Sequence, residues 1–426
     1  MKYPNLFKIS AVSAALGLLF SACGPLPSAS IAQSDLQRVT APQAPSGDFQ
    51  ALVDNNNAFA FDLYQSLQAQ DGNLFYSPYS ISLALAMTYA GARGATESQM
   101  AETLHFLSQD QLHPSFNALD LQLAERGKAA SDDETPLQLN IANAVWAEQT
   151  YPFLKSFLDT IALNYGAGIR LADFINQYEA VRQEINSWVS EQTQNKINDL
   201  IPEGVLTPDT RMALVNAIYF KADWLHPFDA DSTRDAPFHL LGGSEVTVPM
   251  MSHGTFIPYA KGDGWQAVEL AYQGETAAMD IIVPDEGRFD EIESGLDYEA
   301  ASAILASLQP ASVSLALPKF EFQSSFGLAD QLKALGMTDA FDPDQADFTG
   351  MSDRNDLYIS AVVHKAFVAV DENGTEAAAA TAVIIGLASA PLYEVTLTVD
   401  RPFIFLIRDI PTGQILFIGR VLNPAE

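Results

Sequence analysis

Residues able to do acid–base, nucleophilic or metal chemistry are present, but their spacing does not gather them. The six histidines, His105, His113, His226, His239, His253 and His364, fall in no HExxH or other paired-ligand spacing that would turn two imidazoles toward one metal. There is no GxSxG elbow, no SxxK nucleophile and no Gly-rich phosphate loop. The one cysteine, Cys23, precedes any stretch able to fold, which excludes a cysteine nucleophile. Asp371, Glu372 and Glu376 stand near enough to act as paired carboxylates. In a chain with 53 acidic residues, a solvated acidic turn accounts for them better. A triad built from distant residues would leave no motif, and nothing in the sequence asks for one. The chain is therefore read as a non-enzyme, with no metal and no cofactor expected.

One stretch is chemically odd in another way. "ENGTEAAAATAVIIGLAS", 372–389, opens on a Gly-Thr-Glu turn and four alanines, which favour helix. It continues into the β-branched run Thr381 to Ile385, which favours strand. Strand-like runs flank it, "AVVHKAFVAV" before and "EVTLTV" after. Out of context, an Ala-rich linker or short surface helix is as good a reading of it as a functional segment.

The elements that must hold this stretch belong to a globular protein. The chain has 426 residues, 48% of them hydrophobic, enough for a sizeable core. A net charge of −31 argues against nucleic acid and anionic membrane surfaces as partners. Lys2 and Lys8 precede an apolar stretch, Ile9 to Ala22, too short to span a bilayer. The following "FSAC" resembles a bacterial lipoprotein signal, with Phe20 standing where Leu is usual. On that resemblance residues 1–22 are a signal peptide and Cys23 is the lipidated first residue, the only link to a membrane. An ordinary secretory signal is the alternative, and either implies export to the cell envelope or extracellular space. Residues 23–47, rich in Pro, Ser, Ala and Gln, read as a flexible tether, and the folded domain spans 48–426. With Cys23 its single cysteine, the chain can form no internal disulfide.

Within the domain, Ser80 to Ala90 is apolar nearly all round, as in a helix buried inside a protein. Thr96 and Gln99 have capping-box spacing. Val181, Ile185, Trp188 and Val189 recur at helical spacing. From about Arg211 apolar or alternating runs bounded by Pro, Gly and Asp read as strands, and the last two form a hairpin around Pro-Thr-Gly. This pattern predicts an α+β fold with helices packed on antiparallel sheets.

Six segments in order resemble the serpin family. They are "NLFYSPYSISLALAMTYAGARGATESQMAETLHF", "INSWVSEQTQNKINDLIP", "LVNAIYFKADWLHPF", "LPKFEFQSSFGLADQLKALGMTDAF", "HKAFVAVDENGTEAAAATAV" and "DRPFIFLIRD…ILFIGRVLNP". The resemblance runs from about Ala51 to Pro424. It implies three β-sheets, eight or nine helices and an exposed reactive-centre loop at about 372–394. The function it implies is suicide inhibition of serine endopeptidases by a monomer. A protease cuts the loop as substrate, the cut loop inserts as a new strand of the large sheet, and the acyl-enzyme is trapped.

Insertion needs residues that fit a closing sheet, where side chains alternate faces. One face of the loop carries Thr375, Ala377, Ala379, Thr381, Val383 and Ile385; the other carries Glu376, Ala378, Ala380, Ala382 and Ile384. Gly374 frees the turn. Burying an unpaired polar group on the first face would cost roughly 2–7 kcal/mol, and no charge or proline stands there. Counting from Gly374 in the family's usual spacing ends at Ala388, so the reactive bond is expected at Ala388–Ser389. Small Ala388 suits a shallow pocket, as in elastase-like or subtilisin-like proteases; cleavage one residue earlier would present Leu387. The resemblance also assigns Ser77, Ser80, Asn216 and His364 to the shutter beneath the large sheet. It assigns Trp224, Lys319 and Glu372 to the breach where insertion begins, with Lys319–Glu372 an ion pair. With Arg126 and Lys128 among many acids, no polyanionic cofactor is expected. The alternative function is a non-inhibitory serpin, acting as a binding or chaperone-like protein.

Overall fold

The computed structural model describes residues 30–128, 137–376 and 393–426. Cys23, the signal-like segment, Ala377 to Ala380 and the Ala388–Ser389 bond lie outside the described residues. Nine α-helices occur among the described residues: α1 (Ser46–Leu67), α2 (Pro78–Tyr89), α3 (Gly94–Leu104), α4 (Gln109–Arg126), α5 (Lys155–Tyr165), α6 (Phe174–Gln192), α7 (Phe289–Ser294), α8 (Tyr298–Ser307) and α9 (Ala329–Ala334).

The large sheet runs, edge to edge, β1 (Ser30–Ala32), β4 (Ile169–Ala172), β3 (Gln138–Glu148), β5 (Met212–Asp223), β13 (Gly374–Thr375), β12 (Ala361–Val370) and β11 (Phe320–Gly327). A second ladder runs β14 (Val395–Thr398), β10 (Gln309–Pro318), β7 (Glu245–Gly262), β8 (Trp265–Ala271), β9 (Ala277–Pro284), β15 (Phe403–Asp409), β16 (Ile415–Val421) and β2 (Leu74–Tyr76), with β6 (Arg234–His239) on β7. The expected second and third sheets are joined because β7 is 18 residues long. Its first part pairs with β6 and β10, and its last residues turn to pair with β8.

The buried helix and the C-terminal hairpin form as their sequences dictate. All twelve residues of α2 are buried; Ser77 caps it by accepting from the Ser80 N–H, and Pro78 starts the first turn. It can be apolar all round because it packs against β3, β5 and β16 at once. Burying each large side chain such as Ile81 or Leu85 is worth about 1.5–3 kcal/mol. In β15 and β16 nearly every residue is buried on both faces. The large sheet separates two apolar clusters. Leu214, Ile218, Val362 and Ala366 face α2, while Val215, Ala217, Val363 and Phe367 face Val181, Ile185 and Val189 of α6.

Two expectations need correction. Residues 30–45, read as part of a tether, lie along the domain. Ser30–Ala32 add an antiparallel strand to β4, Val39 N–H donates to the Leu163 carbonyl at 2.9 Å, and Arg38 pairs with Asp120 at 2.7 Å. The edge of β4 offered unpaired backbone groups, and three residues of any extended sequence can fill them. The Thr96–Gln99 capping box does not form either. The helix starts two residues earlier, at Gly94, without a side-chain cap. Thr96 instead accepts from the Asp347 N–H at 2.9 Å, and Gln99 from the N–H groups of Thr338 and Asp339. Tertiary partners here outbid the local cap.

Candidate functional site: hinge, breach and shutter

The hinge begins where the two central strands of the large sheet part. β12 and β5 pair in parallel from Ala361–Ala213 to Ala366–Ile218. Beyond that point they diverge, and Gly374–Thr375 enters between them as β13. Gly374 opposes Asp223 and Thr375 opposes Ala222 on one side; Thr375 opposes Val370 on the other. Gly374 is required by this approach, since a Cβ there would fall 2.2 Å from the Ala222 carbonyl oxygen. The Asp371 carboxylate accepts from the Asn373 N–H at 2.8 Å, which closes the turn.

Around this entry the breach residues converge. Trp224 is buried and stacks on Tyr272 with centroids 4.6 Å apart; its indole N–H donates to the Asp371 carbonyl at 3.0 Å. Lys319 meets Glu372 at 2.7 Å, and the Thr233 hydroxyl donates to the other carboxylate oxygen at 2.7 Å. Burial pushes the Glu372 carboxyl up, but the bonds from Lys319 and Thr233 outweigh it and hold it below its ordinary range. Thr375 is 1% exposed, with its hydroxyl 2.7 Å from the Tyr272 phenol.

The next residue, Glu376, turns to the opposite face. Its φ is +50°, a left-handed conformation that glutamate adopts only when held. Two contacts hold it. Its N–H donates to the Ala369 carbonyl at 2.7 Å, and its carboxylate pairs with Lys196, which also lies over the Phe367 ring. Burial, opposed by Lys196, leaves the Glu376 carboxyl raised. Lys196, in the turn after α6, carries no sequence signal that sets it apart from other exposed lysines. The register thus turns Thr375 to the α2 side and Glu376 to the α6 side.

Beneath the paired section of β5 and β12 the shutter residues form one buried network. The Ser77 backbone N–H donates to His364 Nε2 at 3.2 Å, so the proton sits on Nδ1, which donates to Asn216 Oδ1. The Asn216 amide donates to Ser80 Oγ at 2.7 Å and to Asn143 Oδ1. Asn143 on β3 in turn donates to the Ser80 carbonyl at 2.9 Å. Sequence reading missed Asn143, because one asparagine in an apolar alternating run looks like a solvated position. His364 is fully buried, and burial pushes its imidazole down to about 3, which keeps it neutral. Asn216 on β5 and His364 on β12 are register partners, so parting those strands must break this bond.

Of the remaining histidines, His226 and His253 line one recess with Trp224 and Phe228. His105 pairs with Asp62 on the surface, and no cluster of three or more potential metal-ligating groups occurs among the described residues.

The chain belongs to the serpin family: it matches serpin (serine protease inhibitor) over residues 54–424. It is 41% identical to an uncharacterized serpin-like protein of Thermococcus kodakarensis over 89% of this chain and 87% of that protein. It is 40% identical to the leukocyte elastase inhibitor of Xenopus laevis, covering 86% of this chain and 97% of that one. Among solved structures it resembles the thermophilic serpin tengpin in its native state, with TM-score 0.82 and 30% identity over 93% of this chain and all of that chain. It also resembles uncleaved ovalbumin, with TM-score 0.79 and 27% identity over 88% of this chain and all of that one. The likeness to elastase inhibitors supports protease inhibition as its general activity.

Proposed function

We propose that this chain is a suicide-substrate inhibitor of serine endopeptidases with an elastase-like or subtilisin-like target. The observation that carries the reading is β13. Two hinge residues are already paired into the gap between β5 and β12, in the register a longer strand would follow. The protease serine attacks the Ala388 carbonyl, the Ser389 amine leaves with a proton from the protease, and an ester joins inhibitor and enzyme. The freed segment then extends β13 downward. Each residue added exchanges water for ladder hydrogen bonds, at a net gain of about 0.5–1.5 kcal/mol per bond. The Asn216–His364 contact yields as β5 and β12 separate. The attached protease is carried along the sheet before water can cleave the ester.

Support for the target comes from Ala388, whose methyl fits a shallow specificity pocket, and from the elastase-inhibitor relatives. We also place the protein in the cell envelope, exported and anchored by a lipid on Cys23. One gel tests the inhibitory reading. The chain is mixed with pancreatic elastase or subtilisin, and a complex that survives boiling in detergent is expected, with the released peptide starting at Ser389. If both proteases cleave the loop and leave active, the chain is a non-inhibitory serpin. Expression in bacteria tests the anchor: Cys23→Ala should move the protein from the membrane fraction to the soluble one.

A further inference from the structure

Four histidines have partners for a ring nitrogen. His105 meets Asp62, His113 the Tyr165 hydroxyl, His239 meets Glu245, and His364 meets Asn216. No hydrogen bond or ion pair engages the rings of His226 and His253 among the described residues. These two line one recess beside the breach, with Trp224, Phe228 and Thr255. Its free volume of about 20 Å³ seats one water-sized occupant.

Backbone contacts fix the walls. Trp224 bridges Tyr272 antiparallel, and the Leu225 N–H donates to the Ala271 carbonyl at 2.9 Å. The Phe228 N–H donates to the Glu372 carbonyl at 2.8 Å, so the short segment bearing His226 is held at both ends. On the other wall His253, Thr255 and Ile257 share one face of β7, with His253 opposite Leu315 of β10. The His253 ring is half-buried and packs edge to face with Phe228, centroids 5.8 Å apart. His226 is exposed at the rim. Burial, and then the charge of His226, push the His253 imidazole below its ordinary range, which puts the two rings within electrostatic reach of each other.

We propose that His226 and His253 together bind one divalent ion of the imidazole-preferring class, Cu²⁺, Ni²⁺ or Zn²⁺, across this recess. A neutral imidazole offers one lone pair, bound to such ions at about 2.0–2.1 Å, and neither ring spends it on a hydrogen bond. No contact has to break for His226 to turn onto the ion. Waters complete the coordination shell, and the Thr255 hydroxyl, itself without a partner among the described residues, can accept from one of them. The chain's net charge of −31 raises the local concentration of cations. The ion would tie β7 of the second ladder to the segment that carries the hinge turn, since the Trp224 N–H also donates to the Asn373 carbonyl at 2.7 Å. The two histidines stand too far apart in sequence to form a ligand motif, and only the meeting of β7 with the end of β5 brings them together.

Cu²⁺ is the probe, because it quenches tryptophan emission at short range and its electron paramagnetic resonance spectrum counts coordinated nitrogens. The full chain is titrated with Cu²⁺. One bound ion should quench the share of emission that Trp224 contributes among four tryptophans, with two coupled imidazole nitrogens in the spectrum. His226→Gln and His253→Gln should each weaken binding about tenfold or more and leave one coupled nitrogen. His239→Gln, beside Glu245 and Asp400, should change neither readout. Saturating Cu²⁺ should raise the thermal midpoint of the wild type by a few degrees and that of neither recess variant. His226 is exposed, so His226→Gln should keep the metal-free midpoint and tests the site even where His253→Gln fails to fold. If His226→Gln binds Cu²⁺ as tightly as the wild type, the site is wrong. Loss of binding in His239→Gln, a single coupled nitrogen in the wild type, or bound copper that leaves the emission unquenched would each place the ion elsewhere and overturn the proposal. None of these outcomes bears on whether the loop traps a protease.

Discussion

The Thr375 hydroxyl lies 2.7 Å from the phenol of Tyr272, and this contact fixes the first side chain of the hinge inside the large sheet. Tyr272 is itself fully buried under Trp224, so the site for Thr375 has a rigid floor. A long or charged group cannot enter it without displacing that stack. Thr375→Arg should therefore convert the inhibitor into a substrate. The loop is still cut, but the detergent-stable complex disappears and the stoichiometry of inhibition rises at least tenfold. Unchanged trapping by Thr375→Arg on a denaturing gel would show that insertion does not pass through this site.

Lys196 governs the following residue. Lys196 is 43% exposed and Glu376 only 12%, so the pair is partly screened and worth about 1 kcal/mol. Removing the ammonium leaves a half-buried carboxylate in a left-handed backbone. Lys196→Met should lower the thermal midpoint slightly and speed cleavage after Glu376 by a glutamate-specific protease several-fold. Equal cleavage rates would mean that Glu376 is held without help from Lys196.

Gly374→Ala tests the entry directly. The added methyl would overlap the Ala222 carbonyl oxygen, and backbone there has little room to give. The β13 pairing should be lost and the rate of trapping should fall, while cleavage of the loop continues. Amide exchange at Thr375 and Glu376 measured by mass spectrometry should rise to the rate of an unpaired loop.

Two buried histidines set a pH limit on stability. Burial pushes His364 down to about 3 and His113 down to about 4. In the unfolded chain each takes up a proton near pH 6.5, and the native state does not. Stability is therefore intact above about 6.5 and falls as the pH drops below it, by up to about 1.4 kcal/mol per unit for each histidine. The loss levels off once the native imidazoles protonate, near pH 4 and 3. Urea midpoints between pH 7.5 and 4.5 should show this slope, and His113→Gln should make it shallower.

The N-terminal strap makes a further stability prediction. Arg38 bonds to Asn117 Oδ1 at 2.8 Å as well as to Asp120, and Asn117 donates to the Val39 carbonyl at 2.8 Å. Arg38→Ala should cost about 1–2 kcal/mol and expose residues 30–45 to limited proteolysis. Resistance equal to wild type would assign the docking to β1 alone.

What sequence could reveal follows from how each element is stabilised. The α2 helix and the β15–β16 pair were legible because their partners are simply more apolar surface, and runs such as "SISLALAMTYA" state that need locally. Residues 30–45 were not, since a strand that completes an exposed sheet edge needs backbone groups rather than a pattern. Thr96 and Gln99 misled because their spacing fits a cap while Asp347, Thr338 and Asp339, distant in sequence, claim their oxygens. Lys319, Glu372 and the shutter residues could be named only through the family resemblance. Nothing local to His364 points to Asn216, and Asn143 and Lys196 escaped altogether.

The two flanks of the reactive loop are anchored unequally. Thr375 sits in the large sheet, while Val395 to Thr398 are bound to β10 in the other ladder by four parallel partners. The two flanks are therefore held in separate sheets, and neither can travel far while the chain between them is intact. Under the proposed mechanism, hydrolysis of one bond would leave two ends with different fates, one free to run down the sheet and one tied at β14. Resealing would require both ends to return to one protease cleft after one has been carried away. On that mechanism the device would be a single-use latch, armed by how the chain is threaded rather than by any energy source it must carry.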